Sequence, residues 1–271
     1  MVYGVRTARG YYTTQYVEGA IHSVEYYEKM TSRLDCAELF GVELFRAVCS
    51  AIPPERLFVV PGIYNGLLDS AWQVLGMFHF SRCLVRQRSF LRRVVRERGK
   101  YYRAVISRFL DEFEVEAFFL GDDLAYNGRP FVSPAAFREI FLPEYEAIGR
   151  LVHRRGAKLV FHSDGNVLPL LDDLLKFADA IHPWQRSAGI DLAEVKRLHG
   201  DRVVVMGNVP VDLHVRGPPR RVRDYVEWLM GEVAPGGGYF FSSGNSIVPE
   251  VPWKNYVTML AAFRRLRDYP K

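Results

Sequence analysis

Cysteine is scarce in this chain. Cys36, Cys49 and Cys83 lie far apart in 271 residues, with no Cys-x-x-Cys step among them. An odd count at such spacing excludes a disulfide scaffold and a zinc site built from cysteines. No apolar run approaches the roughly 20 residues that cross a bilayer, so no membrane span is expected. The opening residues, MVYGVRTARGYYTT, lack the apolar segment and small-residue cleavage site of a secretory signal. A cytoplasmic protein is therefore expected. Periodic repeats, low-complexity tracts and long Gly/Ser linkers are also missing. What is present is a globular composition, 49% hydrophobic and 25% charged, at a length that suits one large α/β domain.

Acidic residues are nearly absent from one stretch. Ser81 to Arg103 holds eight arginines and one lysine against a single acid, Glu97, although the whole chain carries a net charge of only +5. Such a run can meet nucleic acid, an acidic protein or a polyanion. Leu84, Val85, Leu91, Val94 and Val95 recur there at helical spacing, which makes the arginines the wet face of an amphipathic helix. With no zinc-finger or RNA-binding signature elsewhere, no nucleic-acid partner is expected. Docking of an acidic partner is the second role open to this face.

From Arg56 onward, short apolar runs alternate with helical patterns. The runs are RLFVVPG, EAFFLGDD, KLVFHSDG, DAIHPW, RVVVMGNV and GGYFFSSGNS. Between them, SPAAFREIFLPEYEAIGRLVHRRG reads as one helix, with Ser133 as N-cap, Pro134 in the first turn and Gly156 as the stop. Asp191 and Gly200 bracket another. Gly236, Gly237 and Gly238 precede a strand and read as a turn, not a phosphate loop. This alternation predicts right-handed βαβ units, a parallel sheet and a TIM-type (β/α)8 barrel. Only six strands are clear. Residues 1–50 are expected to be an irregular, tyrosine-rich segment packed on a barrel spanning 51–271. There Tyr11, Tyr12, Tyr16, Tyr26 and Tyr27 would cover the gap or join a homodimer interface.

Five successive strands finish in polar residues or glycine, and in a barrel those ends share the face that carries the active site. His162 and Asp164 share one strand end, and Asp122 is expected to face them. A carboxylate beside an imidazole favours its protonated form, so His162, Asp164 and Asp122 form the expected catalytic group. Asp122 and Asp123 are adjacent, so only one need face the pocket. Asp123, Tyr64, Tyr126, Asn127, His182, Asn208, Ser243 and Asn245 are the expected substrate-binding residues. A metal held by His162, Asp164 and Asp122 is chemically feasible but lacks ligand spacing, and no metal is expected.

From about Leu57 to Tyr269 the chain resembles the uroporphyrinogen decarboxylase superfamily, which includes porphyrinogen decarboxylases and cobamide-dependent methyltransferases. The resemblance rests on GDDLAYNGRPFVSPAAFREIFLPEY, FHSDGNVLPLLDDL, IHPWQRSAGIDLAEVKRLHGDRVVVMGNV and APGGGYFFSSGNSIVPEVPWKNYVTML. It implies a TIM barrel. The decarboxylases' Arg-Gln-Ala-Gly-Arg segment has no match here. Their Gly-His step is Gly244-Asn245 in this chain, and their Phe-Asp-Ser or Phe-Glu-Ser is Gly121-Asp122-Asp123. In the coenzyme M methyltransferases zinc is held by His-x-Cys and a later cysteine; here these positions are His162, Asp164 and Asn245, so zinc is not expected. The resemblance implies corrinoid-linked demethylation of a small O- or N-methyl substrate, with His162 as proton donor and a corrinoid protein as partner. A uroporphyrinogen-type decarboxylase of tetrapyrrole metabolism, needing no cofactor, is the alternative. A non-catalytic barrel subunit is the third.

Overall fold

A computed structural model of the chain describes residues 2–6, 12–16, 19, 21, 23–31, 42–52 and 57–268. The chain divides into two compact units, residues 1–116 with 135–157, and residues 117–134 with 158–271.

The first unit opens with an antiparallel hairpin of β1 (Val2–Arg6) and β2 (Tyr12–Tyr16). Helices α1 (Val24–Thr31) and α2 (Val42–Ala51) follow, so the segment expected to be irregular contains regular elements. Tyr12 and Tyr16 lie on β2; Tyr27 on α1 is buried and donates its hydroxyl to Glu97 at 2.6 Å. Tyr11 and Cys36 lie outside the described residues. The expected strand at RLFVVPG shrinks to β3 (Gly62–Ile63). Leu57 and Phe58 are 60% and 61% exposed, so their apolar character reflects no packed strand.

Helices α3 (Leu67–Leu75), α4 (Met77–Arg86) and α5 (Arg88–Glu112) come next. The basic stretch breaks at Gln87, which leaves helical geometry at φ −139° and ψ 46°. Leu91, Val94, Val95, Tyr102 and Ile106 bury one face of α5, each large aliphatic contributing about 1.5–3 kcal/mol. Val85, by contrast, is 76% exposed and does not belong to that face. The arginines do more than meet water: Arg88 and Arg92 pair with Glu139, Arg93 with Glu28, and Arg103 with Glu144. The long helix expected after Ser133 is two, α6 (Pro134–Ile140) and α7 (Leu142–Arg154). Pro143 explains the break, since it has no N–H to give the preceding turn. Gly156 closes α7 at φ +78°, where a residue with a Cβ is disfavoured.

In the second unit β4 (Ala117–Gly121), β5 (Lys158–His162), β6 (Ala180–His182), β7 (Val204–Val209) and β8 (Tyr239–Ser243) pair in sequence order, all parallel. The order never reverses, so there is no switch point of the doubly wound kind. Alternation assigns the faces. Phe118 and Leu120 of β4 and Leu159 and Phe161 of β5 are fully buried, whereas Phe119, Val160 and His162 take the other side. Helices α8 (Leu171–Leu174), α9 (Leu192–His199), α10 (Val211–Arg216), α11 (Pro219–Trp228) and α12 (Trp253–Leu266) complete the unit. The Asp191 carboxylate caps α9 by accepting from the Ala193 and Glu194 amides, as its position in the sequence implies. Gly200 ends that helix in ordinary right-handed geometry, and all three glycines of the 236–238 turn have positive φ.

Candidate active site

Register brings the site together before any loop does. Gly121, His162 and His182 sit on one rung, β4 to β5 to β6. The His162 and His182 rings stack with centroids 5.0 Å apart, and both lie beside the Phe119 ring, at 5.8 and 6.4 Å. Their Nδ1 atoms are 2.7 Å apart, so one donates and the other accepts. Burial, and next the proximity of His162, lower the pKa of His182 to about 4; a hydrogen bond to the Ser243 backbone opposes this. His182 is therefore neutral near pH 7 and has one N–H. Given to the Ser243 carbonyl, that proton leaves the His182 Nδ1 lone pair to accept from His162. With its Nδ1–H given to His182, His162 turns Nε2 to the other side of its ring, as the nitrogen that can take up and release a proton.

Two carboxylates stand there. Asp123 Oδ1 is 3.7 Å and Asp164 Oδ1 3.8 Å from His162 Nε2. The Asp123 carboxylate also accepts the Asp164 amide at 2.9 Å, and Asn245 Nδ2 donates to Asp164 Oδ2 at 2.5 Å. Burial first, then the Asp123 charge, push the Asp164 carboxyl above the usual range, against the pull of His162 and Asn245. Asp164 Oδ1 is buried with no hydrogen-bond partner. Asp123, His162 and Asp164 each offer one ligand atom, all within 4.8 Å of one another, so an oxygen-and-nitrogen metal set is available, with Asp123 in place of Asp122. Asp122 is 1% exposed and its amide donates to the His162 carbonyl at 2.9 Å.

The supports are local. Ser163 Oγ accepts the Leu124 amide at 2.9 Å and donates to the Asp164 carbonyl at 2.9 Å, tying the β4 and β5 ends together. Gly165 at φ +83° lets the chain pass Ala125, where an added Cβ would lie 2.4 Å from the Ala125 carbonyl carbon. Its amide donates to Gln185 Oε1 at 2.6 Å, and Gln185 Nε2 reaches Ser187 Oγ and Asn127 Oδ1. Gln185 and Ser163 are site residues that sequence reasoning missed. Both stand within the quoted motifs, Ser163 directly after β5 and Gln185 three residues after β6, and that position was the available signal.

A cleft of about 400 Å³ adjoins Asn245, lined also by Gln185, Arg186, Asn208, Asp212 and Ser246. Of the expected substrate-binding residues, Asn208 and Asn245 line it. Asn208 is a wall rather than a free contact, since its amide donates to the Trp184 carbonyl and accepts from the Tyr225 hydroxyl. Ser243 Oγ donates to the Asn245 carbonyl at 2.6 Å. Tyr126 is exposed, its hydroxyl accepting from Arg129. His182 serves His162 directly. Tyr64 belongs to the first unit and is 77% exposed. Cys49 and Cys83, the free cysteines of the described residues, lie in the first unit too.

A sequence model of the uroporphyrinogen decarboxylase family matches residues 71–266, well over half the chain. The uroporphyrinogen decarboxylase of Pseudoalteromonas translucida (strain TAC 125) is 36% identical over 67 residues, 24% of this chain and 18% of that protein. That of Edwardsiella ictaluri (strain 93-146) is 33% identical over 76 residues, 28% of this chain and 21% of that protein. These matches span about a fifth of the relatives' length. In structure the chain is similar to a methyltransferase from Methanosarcina mazei, with a TM-score of 0.63 and 18% identity over 79% of this chain and 61% of that one. That likeness supports an α/β fold of the TIM-barrel type. Together with the strand order and the motifs, the family match places this chain in the uroporphyrinogen decarboxylase family, a family of enzymes.

Proposed function

We propose that the protein transfers a methyl group from a small O- or N-methyl substrate to a corrinoid carried by a partner protein. The observation that carries this reading is the orientation of His162. Its Nδ1 is tied to His182 and its Nε2 faces two carboxylates beside a cleft sized for a small molecule. The cleft is bordered by exposed Arg186, Asp212 and Ser246, which leaves its mouth open to a carrier protein. A reduced corrinoid, when present, supplies the nucleophile that takes the methyl group. His162 gives a proton from Nε2 to the oxygen or nitrogen that leaves, with the Asp123 and Asp164 carboxylates beside that nitrogen. Asn245 holds Asp164 in place.

The test is direct. Cob(I)alamin or a reduced corrinoid protein, mixed with the enzyme and a panel of methylated donors, should give the absorbance change of cobalt methylation, and only with intact His162. The names of the curated relatives favour a second reading, decarboxylation of a porphyrinogen. Formation of coproporphyrinogen from uroporphyrinogen, with no methyl transfer, would establish it instead.

A further inference from the structure

Arg186 differs from the arginines of the basic helix. Arg88, Arg92, Arg93 and Arg103 there are paired with glutamates, whereas no carboxylate of the described residues lies within ion-pair distance of Arg186. It is nevertheless held. Its guanidinium carbon lies 5.0 Å from the Tyr225 ring centre and 5.7 Å from that of Trp228. Stacking of this kind engages the flat face; part of the N–H edge interacts with the Tyr225 hydroxyl, and the remaining N–H groups are left for a planar acceptor. Tyr225 is itself fixed, its hydroxyl donating to buried Asn208 at 2.8 Å.

The side chain stands where two clefts meet, since it lines both the 400 Å³ cleft beside Asn245 and a wider one of about 730 Å³. The acids around it are mostly occupied: Asp191 caps α9, and Asp224 lies 3.5 Å from Arg223 and 3.7 Å from Arg220. Asp212, exposed on the wall of both clefts, adds one negative charge, which disfavours ligands with several anionic groups.

Resting on the methyl-transfer reading, we infer that Arg186 binds the carboxylate of the substrate, and that the substrate is a small molecule bearing one carboxylate. Its carboxylate lies on the guanidinium edge and its reacting end points to Asn245 and the His162 centre. Binding energy at this remote group then orients the methyl group, which is how a positioning contact lowers a barrier.

Calorimetric titration of the full chain, without corrinoid, tests this apart from turnover. The probes are methoxyacetate, its neutral analogue 2-methoxyethanol, and the dianion methoxysuccinate. Methoxyacetate should bind at least about tenfold more tightly than either, and Arg186→Gln should remove that preference. Arg186→Lys should restore part of it, because charge without the fork gives a weaker contact. Asp212→Asn should narrow the gap between monoanion and dianion. An unchanged thermal melt of each variant separates lost binding from lost fold. Equal binding of acid and alcohol, no heat from either at millimolar concentration, or a Gln variant that binds as the wild type overturns the inference. Carboxylate-selective binding without methyl transfer would uphold it and reject the reaction.

Discussion

His162 and His182 meet through their Nδ1 atoms at 2.7 Å, each at the last residue of its own strand and in register with the other. The pair sets the protonation pattern of the site: a neutral His182 accepts the His162 Nδ1–H, so the nitrogen through which His162 takes up and releases a proton is Nε2, toward Asp123 and Asp164. Substitution of His162 by Gln keeps the size and removes the proton carrier. Turnover should fall by about a hundredfold or more, the usual worth of a positioned acid, with little change in the unfolding midpoint. Rates of corrinoid methylation and a urea titration check both halves.

His182→Gln should act through His162. A smaller loss of turnover is expected, together with a changed pH–rate profile, because the His162 Nδ1–H no longer has the imidazole acceptor that reserves Nε2 for proton exchange. Stability gives an independent reading. The folded pKa of His182 is depressed from 6.5 to about 4, so the unfolded chain binds more protons between those values. The contribution is present in full above pH 6.5 and is lost as the pH falls toward 4. The wild type should therefore lose more stability than His182→Gln across that window. Equal slopes would show that His182 is not held neutral by the fold.

Two glycines with nearly the same φ should respond differently to alanine. Gly165 has φ +83° and an added Cβ would strike the Ala125 backbone, while Gly156 has φ +78° and open space. Gly156→Ala should cost about 1 kcal/mol, the backbone penalty alone. Gly165→Ala should cost more and also displace Asp164, lowering activity. Paired urea curves and rates distinguish the two.

The purified protein should hold no zinc on Cys49 or Cys83. Elemental analysis before and after their replacement by Ser should give the same metal content. If a metal is found, Asp164→Asn should reduce it, since Asp123, His162 and Asp164 supply the available ligand set.

Much of this arrangement was legible in the sequence. Polar residues closing apolar runs marked the ends of β4 to β8, and those ends converge as parallel strands require. The choice between Asp122 and Asp123 was not legible. Strand alternation says that neighbours point apart, but β4 stops at Gly121, and beyond it the loop path decides. RLFVVPG misled because an apolar run carries no sign of what covers it. The long helix misled because Pro143 was counted within it, although a missing N–H two residues into a helix marks a start. The His162–His182 bond was beyond reach, since cross-strand register has no signature in one strand alone.

That register also constrains how the chain can change over generations. A one-residue insertion or deletion inside β5 or β6 would turn every later side chain of that strand to the opposite face, and the two imidazoles would part. The connection between them, from Ser163 to Asp179, can lengthen at its exposed helix positions without moving either ring, provided the Asp164–Gly165 corner is kept. Natural length variation among relatives that keep this chemistry should therefore gather between the strands and spare the strands themselves. Any relative with a shifted strand must have found another way to hold its proton.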